Sequence, residues 1–340
     1  MDESNLIKFN SNRTFGVEFE INSFDNRDFL KNPLNRKLLE MPLGIYEVGD
    51  LILQKLNEKV YISSWVHNHD NLAWIVKTDS SCGIEICSPM SKVHNHSKKY
   101  SSLSSVCKVC DLLSKDSRIS CDEKCSFHVH IEVKDCNEDV ISKILKYWIK
   151  FESVFLDSVP DSRKLNKYCE CIALSNLFSV EEDYLSSDVI KKLGEHKYYT
   201  VNCFHLFKGK RKTLEFRIAE NKACLDDFFV KNWVKLLIHF VECAILAQDI
   251  EKYKENDYKT GLCWLDLSDL LEFLKLSDNY DISTELKEVR NWFLSRMFKN
   301  VSTQKTINNV WSYNTRATTI NQLEELRIKW NVDFEKSLYS

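Results

Sequence analysis

Four short segments carry residue types that could do chemistry together. Gly16-Val-Glu18-Phe-Glu20 places two carboxylates at i and i+2, and Cys125-Ser-Phe-His128-Val-His130 does the same with two imidazoles. Thr213-Leu-Glu215-Phe-Arg217 repeats the spacing with an acid and a guanidinium, and Asp79 and Glu85 flank a turn containing Gly83. In a strand, residues two apart share a face, so each pair would present both of its polar groups to one side. Glu18 and Glu20 are then either the wet face of an edge strand or ligands for a hard cation, since carboxylate oxygen suits Mg²⁺. His128 and His130 are metal ligands or donors to phosphate or carboxylate. Glu215 and Arg217 are a surface ion pair of small value, or a metal ligand beside a group that stabilises a transferring phosphoryl. Lys208, Lys210, Arg211 and Lys212 just before that segment are a solvated turn or a hold on nucleotide phosphates.

These segments need strands to aim them. Arg13 to Asn22 sets Phe15, Val17, Phe19 and Ile21 against Glu18 and Glu20, a period of two. Residues 59–66 and 72–78 are rich in Val, Ile, Tyr and Trp, and the polar break His67 to Asn71 predicts a hairpin between them. Residues 83–88 read as a strand stopped by Pro89, and Phe127–Val133, Tyr198–Leu206 and Lys212–Ala219 as three more. Helices are predicted over 97–115, 139–158, about 164–178, 186–193 and 226–249, and throughout from about 265 onward. The composition change near 250–262 divides a catalytic domain, 1–250, from a helical C-terminal extension, 251–340, packed on it.

The order Glu-x-Glu, Asp-x5-Glu, His-x-His, Glu-x-Arg resembles the carboxylate–amine ligase superfamily of glutamine synthetase and glutamate–cysteine ligase. The local wording is most similar to its amidoligase family, over residues 13–245. The resemblance implies an α+β fold: a curved, mostly antiparallel sheet, open like half a barrel and backed by helices. It also implies ATP and two or three Mg²⁺ ions, with Mn²⁺ as a substitute, on the concave face. By motif position Glu18, Glu20, Asp79, Glu85, His128 and Glu215 would be metal ligands. His130 would face substrate or nucleotide, and Arg217, with Asn202, Lys210 and Arg211, would contact nucleotide. Glu220 to Leu225 departs from the family's Gly-Thr-Leu-like turn. The implied reaction is ADP-forming amide synthesis through an acyl phosphate, joining carboxylate and amine groups of amino acids, peptides or proteins.

Composition bounds the alternatives. With 340 residues, 44% of them hydrophobic, and a net charge of -3, the chain has material for a sizeable core and no global attraction to nucleic acid. No apolar run of about 18 residues predicts a membrane span. The polar start and thirteen cysteines in irregular spacing predict reduced thiols and a cytoplasmic setting. Three rival readings stand beside the ligase. They are a hydrolase using the same ligands without ATP, a zinc-binding interaction module on Cys107, Cys110, Cys121 and Cys125 with His94 and His96 nearby, and a non-enzymatic protein with a degenerate site.

Overall fold

A computed structural model describes residues 6–10, 12–22, 44–63, 72–95, 97, 99–164, 166–172, 191–209, 211–247, 266–303 and 313–330. The chain forms two compact units, one of residues 11–132 and 219–231, the other of 1–10, 133–218 and 232–340. The expected boundary at 250–262 lies outside the described residues.

The first unit is a sheet covered by helices. Its strands are β1 (Phe15–Asn22), β2 (Val60–Ser63), β3 (Trp74–Asp79), β4 (Gly83–Cys87), β5 (Ser91–Lys92), β6 (Ser101–Ser102) and β7 (Phe127–Glu132). The order is β2-β3-β4-β1-β7, with β5 pairing β1 and β6. β1 runs antiparallel to β4, β5 and β7, and β3 antiparallel to β4. The sheet is mixed, because β2–β3 and β5–β6 are parallel, and unclosed, because the strand order does not return to β2. The hairpin expected between β2 and β3 is therefore wrong. Val60 faces Trp74 and Ser63 faces Lys77, both strands advancing together. The connection between them is far longer than a tight turn, which frees the chain to return and pair in parallel.

Period-two alternation fixes the register. Phe15, Val17, Phe19 and Ile21 are buried, as are Ile84 and Ile86 on β4 and Phe127, Val129 and Ile131 on β7. Each such side chain is worth about 1.5–3 kcal/mol. Phe19 and Phe127 meet with ring centroids 5.2 Å apart. Over this unit lie α1 (Gly44–Leu56), α2 (Leu103–Lys115) and a 3₁₀ turn (Asn221–Leu225). Ser102 caps α2 by accepting from the Ser105 N–H, so the helix starts at Leu103, where its apolar stripe begins, rather than at 97.

The second unit contains α3 (Glu138–Asp157), α4 (Asp161–Lys164), β8 (Val201–Asn202), α5 (Phe204–Phe207), β9 (Thr213–Ala219, all but its last residue), α6 (Asp227–Leu246, from Asn232 on), α7 (Leu267–Phe273), α8 (Thr284–Thr303) and α9 (Tyr313–Trp330). Its core is aromatic. Trp148 stacks on Phe155 at 4.6 Å and meets Phe216 and Phe240 edge-on at 5.0 and 5.5 Å. Two expectations fail here. Residues 166–172 are turns, not helix: Asn166 accepts from the Tyr168 N–H, and Glu170 bridges to Tyr199. β8 is cut to Val201–Asn202, because the Asn202 side chain accepts from the Phe204 N–H and turns the chain into α5.

Candidate functional site

In the first unit, the face of the sheet opposite the core is polar, yet it is largely buried. Two rows of facing residues cross it. In one, Glu18 on β1 lies between Cys87 on β4 and His128 on β7. In the other, Glu85 on β4 lies between Lys77 on β3 and Glu20 on β1. His130 faces Gly16, which has no side chain to crowd it, and its ring leans diagonally to Glu18.

The contacts are close. His130 Nε2 is 3.1 Å from one Glu18 oxygen and His128 Nδ1 is 3.3 Å from the other; His128 Nδ1 is also 3.8 Å from Glu20. Lys77 Nζ donates to Glu85 at 2.7 Å, and Cys87 Sγ donates to the same carboxylate at 3.1 Å. Glu18, Glu85 and Cys87 each offer a donor atom within 4.8 Å of the others.

Burial makes these charges matter to one another. It acts to raise the Glu18 carboxyl, but the His130 and His128 imidazoles overcome it and hold the group well below its ordinary value. Glu85 goes the other way, raised by burial and by the Glu18 charge despite Lys77. Lys77 is raised: burial opposes its charge, but the Cys87 sulfur and the Glu85 carboxylate favour it. Burial and the Glu18 and Glu85 charges push the Cys87 thiol well up. The outcome is a cluster of carboxylates with one half-buried ammonium as counter-charge, a donor set suited to a divalent cation.

Glu18, Glu20, Glu85, His128 and His130 are thus brought together. Asp79 lies on the same sheet at the β3–β4 turn, where Oδ1 accepts from the Ser81 N–H at 2.7 Å, from the Ser81 hydroxyl and from the Cys82 N–H at 3.3 Å. Those bonds hold its pKa low against burial, and they tie that oxygen to the turn. Lys77 and Cys87 were missed from the sequence, although they follow the same rule: each is two residues from a singled-out carboxylate.

In the second unit, β8 and β9 pair so that Asn202 faces Glu215. Asn202 Nδ2 donates to Glu215 at 2.6 Å, and Arg217 Nη1 donates to the other Glu215 oxygen. Arg217 Nε donates to the Tyr168 carbonyl at 3.1 Å, and the guanidinium lies 6.0 Å from the Tyr198 ring centroid. The supports of Arg217 converge on Glu152, which is fully buried in α3. Its carboxylate accepts from the Ile172 N–H at 2.9 Å, the Cys171 thiol at 3.0 Å and the Thr200 hydroxyl, tying the 166–172 turns to the strand beside β9. Asn202, Glu215 and Arg217 are therefore one bonded group. Arg211 is exposed, and Lys210 lies outside the described residues.

The cysteines of the rival zinc reading do not assemble. Among the described residues, no group of three or more donor residues with atoms all within 4.8 Å of one another includes Cys107, Cys110, Cys121 or Cys125. Cys110 is buried and donates to the Cys224 carbonyl at 3.2 Å; His94 is exposed and His96 lies outside the described residues.

An α+β chain with acids and imidazoles ranged across a sheet is the class the fold and these residues define. The family model described as "Putative amidoligase enzyme" matches residues 11–241, and the chain belongs to that family. No curated protein matches. Among solved structures, a bifunctional glutathione synthetase from Pasteurella multocida is similar at 12% identity over 96% of this chain and 50% of that one. Its TM-score of 0.38 is too low to define a shared fold, and the chain spans about half the length of that protein. Among the described residues, no helix is long and apolar enough to cross a membrane.

Proposed function

We propose that the protein is an ATP-dependent carboxylate–amine ligase that forms an amide through an acyl phosphate. The single observation that carries this reading is the set Glu18, Glu20, Glu85, His128 and His130 on one buried polar sheet face. Glu18, Glu20, Glu85 and His128 fit divalent cations, Mg²⁺ or Mn²⁺, with Asp79 of the same unit as a further ligand; Glu215 is a ligand by its motif position alone. Bound there, the cations would neutralise phosphate oxygens as the γ-phosphoryl moves. The half-barrel shape implied by the sequence belongs to the same reading.

The chemistry explains the residues. A carboxylate is a poor acyl donor because its leaving group would be oxide. Phosphorylation replaces oxide with phosphate; an amine then attacks the carbonyl, the C–O bond to phosphate breaks, and the amine loses a proton. No nucleophilic Ser or Cys is needed. Arg217, held by Glu215 and the Tyr168 carbonyl, would bind phosphoryl oxygens, and Asn202 holds Glu215 in its orientation. His130 is the substrate-facing imidazole. The exposed Arg211, with Lys210, would attract nucleotide phosphates. Substrates are carboxylates and amines of amino acids, peptides or proteins, handled in the cytoplasm without nucleic acid.

The test is ADP release with Mg²⁺ across a panel of carboxylates and amines, with mass spectrometry for loss of water between the partners. Glu18→Gln and Glu215→Gln should each abolish ADP release while far-ultraviolet circular dichroism stays unchanged. Full turnover in both variants would sink the assignment.

A further inference from the structure

Cys87 is out of place for a structural thiol. On β4 the core-facing residues are Ile84 and Ile86, whereas Cys87 shares the opposite face with Glu85 and pairs across the sheet with Glu18. A cysteine filling an apolar gap would sit with the isoleucines. Here the sulfur is 3.1 Å from a Glu85 oxygen, and it falls with Glu18 and Glu85 in a group whose donor atoms lie within 4.8 Å of one another.

We propose that Cys87 is a metal ligand, and that the cation position it borders with Glu18 and Glu85 takes a borderline divalent ion such as Zn²⁺ or Co²⁺ in preference to Mg²⁺. This rests on the reading that the polar sheet face holds divalent cations. Carboxylates alone suit Mg²⁺, but a sulfur ligand shifts preference toward the borderline ions. As the metal–sulfur bond forms, the S–H bond breaks and its proton passes to the buffer. A cation at this position reverses the local penalty on a sulfur anion among carboxylates.

The experiment adds Co²⁺ to the metal-free full-length protein and records its absorption. Thiolate ligation gives a sulfur-to-cobalt charge-transfer band in the near ultraviolet, apart from the weaker visible bands of cobalt held by oxygen and nitrogen alone. The band is expected in the parent protein and in Cys136→Ser, a cysteine outside the site. It should be lost in both Cys87→Ser and Cys87→Ala, with circular dichroism showing that each variant folds. A band that survives in the Cys87 variants comes from other thiols and overturns the proposal. Visible cobalt bands without the near-ultraviolet band overturn Cys87 as a ligand while leaving the cation site standing. No cobalt binding at all overturns both. ADP formation with Mg²⁺, measured separately, tests the ligase reading independently of the band.

Discussion

Replacing Lys77 with Met should destabilise the metal-free protein, by an amount that depends on pH and on added cation. Lys77 Nζ is 2.7 Å from Glu85, with side-chain exposures of 26% and 10%. At an effective dielectric constant of about 20, the gross attraction is about 6 kcal/mol. Desolvation cancels much of it. Breaking a fully buried pair costs about 3–5 kcal/mol and a surface pair about 0–1. The partial exposure of Lys77 sets the expected loss between these, at roughly 2–3 kcal/mol. Burial and Glu18 already raise the Glu85 carboxyl, and losing the ammonium raises it further. A raised carboxyl favours the folded state when protonated and loses that contribution as pH rises through its folded value. The gap between variant and parent should therefore narrow on acidification, by at most about 1.4 kcal/mol per pH unit. Urea unfolding in EDTA from about pH 8 to pH 5 measures this. Saturating Mn²⁺ should stabilise the Met variant more than the parent, because the cation takes over the lost counter-charge. A loss under about 0.5 kcal/mol, or one that grows on acidification, would refute the electrostatic account.

Glu18 has the opposite sign. Its lowered carboxyl contributes stability above the ordinary carboxylate range that is lost as pH falls through the folded value. The parent should lose stability faster than Glu18→Gln as an acid titration proceeds below about pH 4.5, read by circular dichroism. Asn202→Ala leaves the buried Glu215 carboxylate without its 2.6 Å donor and should cost about 1–3 kcal/mol in chemical denaturation. Gly49→Ala would put a methyl 2.4 Å from Ile62 Cδ1, between α1 and β2; it should cost about 1–3 kcal/mol in the same assay and leave ADP release unchanged.

The parts legible in the sequence were those with local causes. Alternation in β1, β7 and β9 set both those strands and the faces of Glu18, Glu20, His128, His130, Glu215 and Arg217, because the side-chain period in a strand is two. What was missed depended on distant partners. Parallel pairing of β2 with β3 leaves no mark in either strand. The ending of β8 hung on one Asn202 hydrogen bond, and the turns at 166–172 on a carboxylate in α3. Asp79 read as a potential ligand, but the backbone groups engaging its Oδ1 are visible only in three dimensions. Lys77 and Cys87 share the face of Asp79 and Glu85 by the same period of two, but only the pairing of β4 with β3 and β1 sets them beside the carboxylates.

The interleaving of core and site along β1 has a consequence for tolerated variation. Phe15, Val17, Phe19 and Ile21 alternate with Gly16, Glu18 and Glu20, so deleting one residue in the middle of β1 would drive carboxylates into the core and phenylalanines onto the polar face. Substitutions there can be selected one face at a time; insertions and deletions cannot. The lineage can retune its ligands residue by residue, while the length of this strand stays locked to the frame of the gene.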